Sequence, residues 1–187
     1  MNVITIDLEM NKSVKKPIIQ LGYTINNVKT GKLVMARSLF VNPNETIDPF
    51  ITELTGIKDE DVADAGSLLF AYERMATDIK KHQTSPFVLQ WGLDHFELRN
   101  QLNIDWDTYI FARRCIDIKS LYQAYAMARP QGKTVAGLAK ACEVLGIEFE
   151  GRQHDALCDA FNTFKVFKVL TDKMVKYDEI NKVVKRG

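Results

Sequence analysis

Asp7 and Glu9 close an apolar, β-favouring run, Val3-Ile4-Thr5-Ile6, with Leu8 between them. Residues two apart on a strand face the same way, so this spacing sets two carboxylates side by side where the strand ends. Side by side they repel unless something positive lies between them. A metal ion meets that need, and so does water around the acidic end of an edge strand; the pair alone does not choose. Three more residues bear on the choice. Asp94 follows Trp91-Gly92-Leu93 just after a second apolar run, a place where a carboxylate also serves as a helix cap. Asp159 lies in an apolar helical stretch between Cys158 and Ala160, where a carboxylate has to be paired or metal-bound. His154 has polar neighbours near a turn, which suits proton transfer or a surface cap contact rather than core filling.

The elements that must carry these residues follow from pattern. After the first strand, Asn11 to Pro17 reads as a polar, basic loop, and Ile18–Ile25 and Lys32–Val41 read as further strands joined by short turns. Such turns favour antiparallel pairing of the three. Pro49 to Ile57 and Lys58 to Val62 read as short helical turns, and Ser67 caps a helix to about His82 that buries Leu69, Met75 and Ile79, with Phe70 or Tyr72 beside them. Phe87-Val88-Leu89-Gln90-Trp91 suits a central strand, and Arg113 to Asp117 a fifth. Helices follow at Asp94, at Leu121–Met127, at Val135–Leu145 with Thr134 as cap, and from about His154 to Leu170. Asp155, in the first turn of that last helix, is explained by the helix dipole.

Three β segments followed by alternating helix and strand imply an α/β fold with a mixed five-stranded sheet, three strands antiparallel and two parallel, flanked by helices. If the fourth strand lies parallel beside the first, their carboxyl ends bring Asp7, Glu9 and Asp94 to one edge. One domain spans about residues 1–172, and 173–187 reads as a basic helix or tail.

Composition narrows the setting. The chain has 187 residues, enough for one sizeable core, with 46% hydrophobic and 26% charged residues. Cys115, Cys142 and Cys158 are widely spaced among apolar neighbours, against a disulfide framework and for a reducing compartment. No apolar run reaches membrane-spanning length, and Asp7 and Glu9 interrupt the start before a signal-peptide core forms, so the expected location is cytoplasmic. The net charge of +1 divides unevenly: basic near both termini, acidic from Glu45 to Asp78. That permits an anionic ligand near the termini without requiring one. No Cys/His spacing suggests zinc, and no glycine-rich phosphate loop is present. Lys12, Lys15, Lys16, Arg113 and Arg114 have an ordinary surface role open to them. Trp91 reads as core, and His82 and His95 belong to no ligand pattern.

In chain order, Asp7-Leu8-Glu9, Asp94 after Trp91-Gly92, and His154 with Asp159 five residues on resemble the three motifs of the DEDDh 3′-to-5′ exonuclease superfamily, whose fold is ribonuclease H-like. The resemblance covers roughly residues 2 to 170, and Glu53-Leu54-Thr55-Gly56-Ile57 with Trp91-Gly92 is most similar to ERI-like exoribonucleases and small bacterial and phage exonucleases. It implies two divalent cations, Mg²⁺ or Mn²⁺, held by Asp7, Glu9, Asp94 and Asp159, with Asp7 bridging and Asp94 acting through water. Hard oxygen donors suit such ions. It implies His154 as the base for the attacking water, work that imidazole does near neutral pH, and a nucleoside 5′-monophosphate as product.

The same resemblance makes Leu54 a wedge against the terminal bases of a single-stranded or frayed 3′ end, where the residue by itself also reads as a small satellite core. It places the backbone near Leu8 and Met10 beside the terminal sugar. Met10 stands where many relatives have threonine, and a methionine has no hydroxyl to offer the substrate. Two alternatives stay open: a proofreading exonuclease working with a polymerase, and a nucleic-acid or protein interaction module without chemistry. The complete set of five signature residues weighs against the second. Neither oligomeric state nor RNA against DNA is legible.

Overall fold

Strands β1 (Asn2–Met10), β2 (Ile18–Asn27) and β3 (Leu33–Phe40) form an antiparallel meander. Strand β4 (Thr84–Gln90) joins β1 in parallel and β5 (Cys115–Asp117) joins β4 in parallel, giving the order β3-β2-β1-β4-β5. The computed structural model describes residues 1–129 and 137–184, with side chains as far as residue 176. The expected mixed sheet is present, strand for strand.

Central β1 is packed on both faces. Ile4, Ile6 and Leu8 meet Tyr23, Met75, Leu98 and Phe111 on one face. Val3 and Leu89 meet Tyr122, Phe164 and Leu170 on the other. Because strand side chains alternate, Thr5, Asp7 and Glu9 share the face of Val3. Helices α3 (Leu68–Lys81) and α4 (Asp94–Leu102) cover the Ile4 face. Helices α5 (Ile118–Met127), α6 (Leu138–Leu145) and α7 (Ala156–Val184) cover the carboxylate face.

A bulge beside Glu9 places the remaining helices. Glu9 pairs with Gln20 but Met10 pairs with Ile18, so Ile19 is the extra residue. Bulges re-aim side chains, and Ile19 joins Ile47, Ile51, Ile57 and Val62 in a separate small cluster. That cluster seats α1 (Pro49–Thr55) and α2 (Asp59–Val62) next to the end of β1.

Several local expectations change. Ser67 does cap α3, accepting from the Phe70 N–H at 3.2 Å. Yet Leu69 and Phe70 are 51% and 52% exposed, and the buried stripe is Ala71, Tyr72 and Met75 with Leu68 and Ile79 packed at its edge. The helical phase is set by Tyr72 and Met75 against the sheet, which turns Leu69 outward. Strand β5 begins at Cys115, leaving Arg113 and Arg114 exposed before it. The expected Thr134 cap lies outside the described residues. Helix α7 begins at Ala156 instead of His154 and continues unbroken to Val184, so the described part of the basic segment, residues 173–184, prolongs the same helix.

Candidate active site

The approach of α7 to the sheet makes the site. Gly22 pairs with Asp7 across the β1–β2 ladder, and a Cβ at Gly22 would lie 2.1 Å from the Ala156 carbonyl carbon. Only glycine leaves room for that backbone. One step along, Gln20 faces Glu9 and fastens the helix start: its Oε1 accepts from the Ala156 N–H at 3.0 Å, and its Nε2 donates to Asp155 at 3.2 Å and to Ser38 at 2.9 Å. Asp155 caps the helix in turn, its Oδ1 accepting from the Cys158 N–H at 3.0 Å. Helix α7 is thereby set down with Asp159 one turn in, and with His154 exposed just ahead of it in the left-handed region at φ 60°. The His154 N–H donates to Asp159 Oδ2 at 3.3 Å. One ligand-type atom from each of Glu9, His154 and Asp159 lies within 4.8 Å of the others.

Asp94 arrives from the β4–α4 turn. It is the first residue of α4, but Leu93 occupies the cap position and no side chain caps the helix. The alternative role of helix cap is therefore not taken, and among the described residues Asp94 Oδ2 is buried without a protein partner. Buried Gln90 shapes this turn, accepting from the His95 N–H at 2.6 Å and donating to the Gly92 carbonyl at 2.7 Å. Asp117 accepts from the Gly92 N–H at 2.9 Å. His95 turns away from Asp94 into an aromatic cluster with Phe96, Trp106 and Tyr109. Trp91 packs on Tyr122, as a core residue does.

The electrostatics are those of a strained anionic centre. Burial, and then the charges of Asp94, Asp159, Glu9 and Asp155, push the Asp7 carboxyl well above the usual range. Burial with Asp159 and Asp94 raises Glu9 to about 8. Asp94 is raised by burial and by Asp117 and Asp159. Asp159 is raised to about 6, mainly by burial. Among the described residues, no lysine or arginine pairs with any of these four. Two buried carboxylate oxygens, Asp94 Oδ2 and Asp159 Oδ1, have no partner among the described residues. Unpaired oxygens among four mutually repelling carboxylates fit a divalent cation.

Along the rim, Leu8 and Met10 turn their side chains into the core, and Met10 Sδ lies 4.0 Å from Gln101 Nε2. Leu8 is buried and Met10 half-buried. Leu54 is half-buried in the last turn of α1, and Phe50, one turn earlier on the same helix, is 52% exposed with the Lys12 ammonium 4.7 Å from its ring centre. Lys15 and Lys16 stay in the exposed loop.

Sequence reasoning passed over Gln20, Gly22, Gln90 and Phe50. A glutamine inside each of two apolar strands was the available signal for the first and third, since a buried amide has to find partners. Nothing in the sequence marks Gly22, whose role depends on a helix more than a hundred residues away.

A ribonuclease H-like sheet with an acidic cluster and one imidazole at the carboxyl ends of its central strands defines the class. The family model described as Exonuclease (RNase T) matches residues 4–167, and the chain belongs to that family. It is 26% identical over 170 residues to ERI1 exoribonuclease 2 of Mus musculus, covering 78% of this chain and 24% of the relative. The corresponding Homo sapiens protein is 25% identical over 183 residues, covering 84% and 26%. The chain thus spans about a quarter of the length of these curated relatives. Among solved structures, the nuclease domain of 3′hExo, a DEDDh family member bound to rAMP, superposes with a TM-score of 0.76 at 20% identity, covering 92% of both chains. E. coli exonuclease I in complex with a dT13 oligonucleotide gives 0.72 at 17% identity, covering 94% of this chain and 43% of that one.

Proposed function

We propose that this chain is a metal-dependent 3′-to-5′ exonuclease that removes nucleoside 5′-monophosphates from single-stranded or frayed ends of RNA or DNA. The observation that carries the reading is the cluster of Glu9, Asp159 and the exposed His154 imidazole, with Asp7 and Asp94 near enough to raise the carboxyl pKa values around them and, among the described residues, no lysine or arginine paired with any of the four. A structural acidic patch has no use for buried oxygens left without partners.

In this reading Asp7, Glu9, Asp94 and Asp159 hold two divalent cations, Mg²⁺ or Mn²⁺. When bound, these ions offset the charge of the phosphate and make water a better nucleophile. His154 takes a proton from the water that attacks phosphorus. The bond from phosphorus to the preceding 3′ oxygen breaks, the electron pair leaves with that oxygen, and a proton from solvent completes the new 3′ end. His154 is exposed where a substrate can reach it, and its backbone bond to Asp159 ties the base to the acidic cluster.

Substrate contacts fall on the β1 backbone at Leu8 and Met10 and on α1. There Leu54 is the proposed wedge, and Phe50 with Lys12 adds an apolar ring and a cation to the same rim. The names of the relatives, exoribonucleases, favour RNA. Three free cysteines fit a reducing compartment, and the cytoplasm is the proposed location. Among the described residues, no helix is long and apolar enough to cross a membrane.

Matched 3′-labelled and 5′-labelled RNA and DNA oligonucleotides, incubated with Mg²⁺ or Mn²⁺ and resolved by product, test the proposal. Stepwise loss from the 3′ end with 5′-monophosphate products is expected. Internal cuts or 3′-phosphate products would overturn it, and strong preference for mismatched DNA ends would favour a proofreading role.

A further inference from the structure

The loop that presents His154 is held from outside by α1. One guanidinium nitrogen of Arg152, Nη2, donates to the carbonyls of Glu53 at 3.3 Å and Leu54 at 3.2 Å. Both belong to the last turn of α1, whose carbonyls no helical N–H reaches. A cation also suits the negative end of a helix. Gly56 ends α1 in the left-handed region at φ 80°, its N–H donating to the Thr52 carbonyl at 2.8 Å. A Cβ on Gly56 would sit 1.9 Å from Arg152 Nη1. The Leu54-Thr55-Gly56 turn is therefore a cradle for one guanidinium.

The other end of α1 is fastened beside Glu9. Asn11, two residues beyond it, donates to Glu45 at 2.7 Å and to the Thr46 carbonyl at 3.0 Å, and accepts from the Asp48 N–H at 2.8 Å. Helix α1 is thus bonded to the strand end that carries two carboxylates and to the loop that carries the imidazole. That loop turns sharply at two left-handed residues, Gly151 at φ 81° and His154 at φ 60°. A non-glycine residue holds such a conformation only when its surroundings enforce it.

We infer that Arg152 is a positioning residue that couples α1, and with it the Leu54 turn, to the placement of His154. The inference deepens the exonuclease reading and rests on it. Nucleotides that fill the Leu54 turn steady the carbonyls that hold Arg152, so substrate seating and base placement are linked. Arg152 acts through two carbonyls and not through a phosphate, so its loss lowers turnover rather than affinity.

The test uses the full chain with the R152A, G56A and doubly substituted variants. Hydrogen exchange on the metal-free protein reads the coupling directly. In R152A the amides of His154, Ala156 and Cys158 and those of Gly56 and Ile57 exchange about tenfold faster, with the melting temperature within about 2 °C of the parent. Unchanged exchange, or a change on only one side of the contact, overturns the coupling whether or not the protein is active.

With Mg²⁺ and a single-stranded 3′-hydroxyl oligonucleotide, R152A and G56A each lower kcat about tenfold with KM within about twofold, and the double variant is no slower than R152A. A raised KM with a shallower salt dependence identifies a phosphate contact and overturns the inference. An inactive parent chain sinks the exonuclease reading, while the exchange experiment still decides the coupling.

Discussion

Gly22 lies directly across the β1–β2 ladder from Asp7, and its missing side chain is what admits the start of α7 beside that carboxylate. The Ala156 backbone occupies the space a methyl group would take. His154 and Asp159 ride on this helix start, so one hydrogen atom at position 22 sets the distance between the two halves of the acidic centre. Gly22→Ala should cost about 1–3 kcal/mol of stability from overpacking and should lower turnover as well. Urea melts beside oligonucleotide hydrolysis rates check both, and an unaffected rate would separate this contact from the site.

Asp7→Ala and Asp159→Ala should each reduce turnover by about a thousandfold or more, the scale expected when metal-assisted chemistry loses a ligand. In excess chelator the same variants should melt higher than the parent, because each removes a buried like charge. A melt and a rate on the same preparation separate lost chemistry from lost fold.

Metal removal should make stability depend on pH in an unusual direction. The folded-state pKa values of Glu9, about 8, and Asp159, about 6, lie above the ordinary carboxylate range. From about pH 4.5 to 8 the folded protein holds more protons than the unfolded chain, so stability falls as pH rises. In chelator the melting temperature should drop across that window. Excess Mg²⁺ or Mn²⁺ should raise the melting temperature most at the alkaline end, since binding to the folded state is stabilising. A flat profile in chelator would remove the repulsion argument.

Leu54→Ala should slow degradation of duplex or structured 3′ ends more than that of a short single strand, because an apolar wedge is needed only where bases must be parted. Rates on a hairpin and on its unpaired arm provide the comparison. Equal losses on both count against the wedge.

Asp78 offers a control on the opposite face of the sheet. It accepts from the buried Tyr23 hydroxyl at 2.8 Å and pairs with Arg37 at 2.9 Å. Asp78→Ala strands both partners and should cost about 2–4 kcal/mol. Its carboxyl is held below the usual range by Tyr23 and Arg37 against the effect of burial, so the stabilisation is present above about pH 4 and is lost on acidification. Hydrolysis at a temperature where the variant is folded should match the parent.

Asp7 and Glu9 were legible as a pair because strand alternation is local: two residues apart means one face, whatever lies around the strand. The five strands were legible for a similar reason, since apolar runs and turn residues mark them without reference to distant contacts, whereas the place of β4 beside β1 entered only as a condition. Leu69 shows the limit. Helical periodicity offers two neighbouring stripes, and only packing of Tyr72 and Met75 against the sheet selects between them. Asp94 shows it again, because a carboxylate at a helix start reads as a cap until Leu93 is seen to hold that position.

The sequence by itself determined which residues carry charge at the site, their order, and the strand spacing that aims two of them together. Tertiary structure decided how near the two halves stand. That distance depends on Gly22 and Gln20 meeting Ala156, a contact between segments more than a hundred residues apart, and steric fit at such a separation has no local pattern to reveal it.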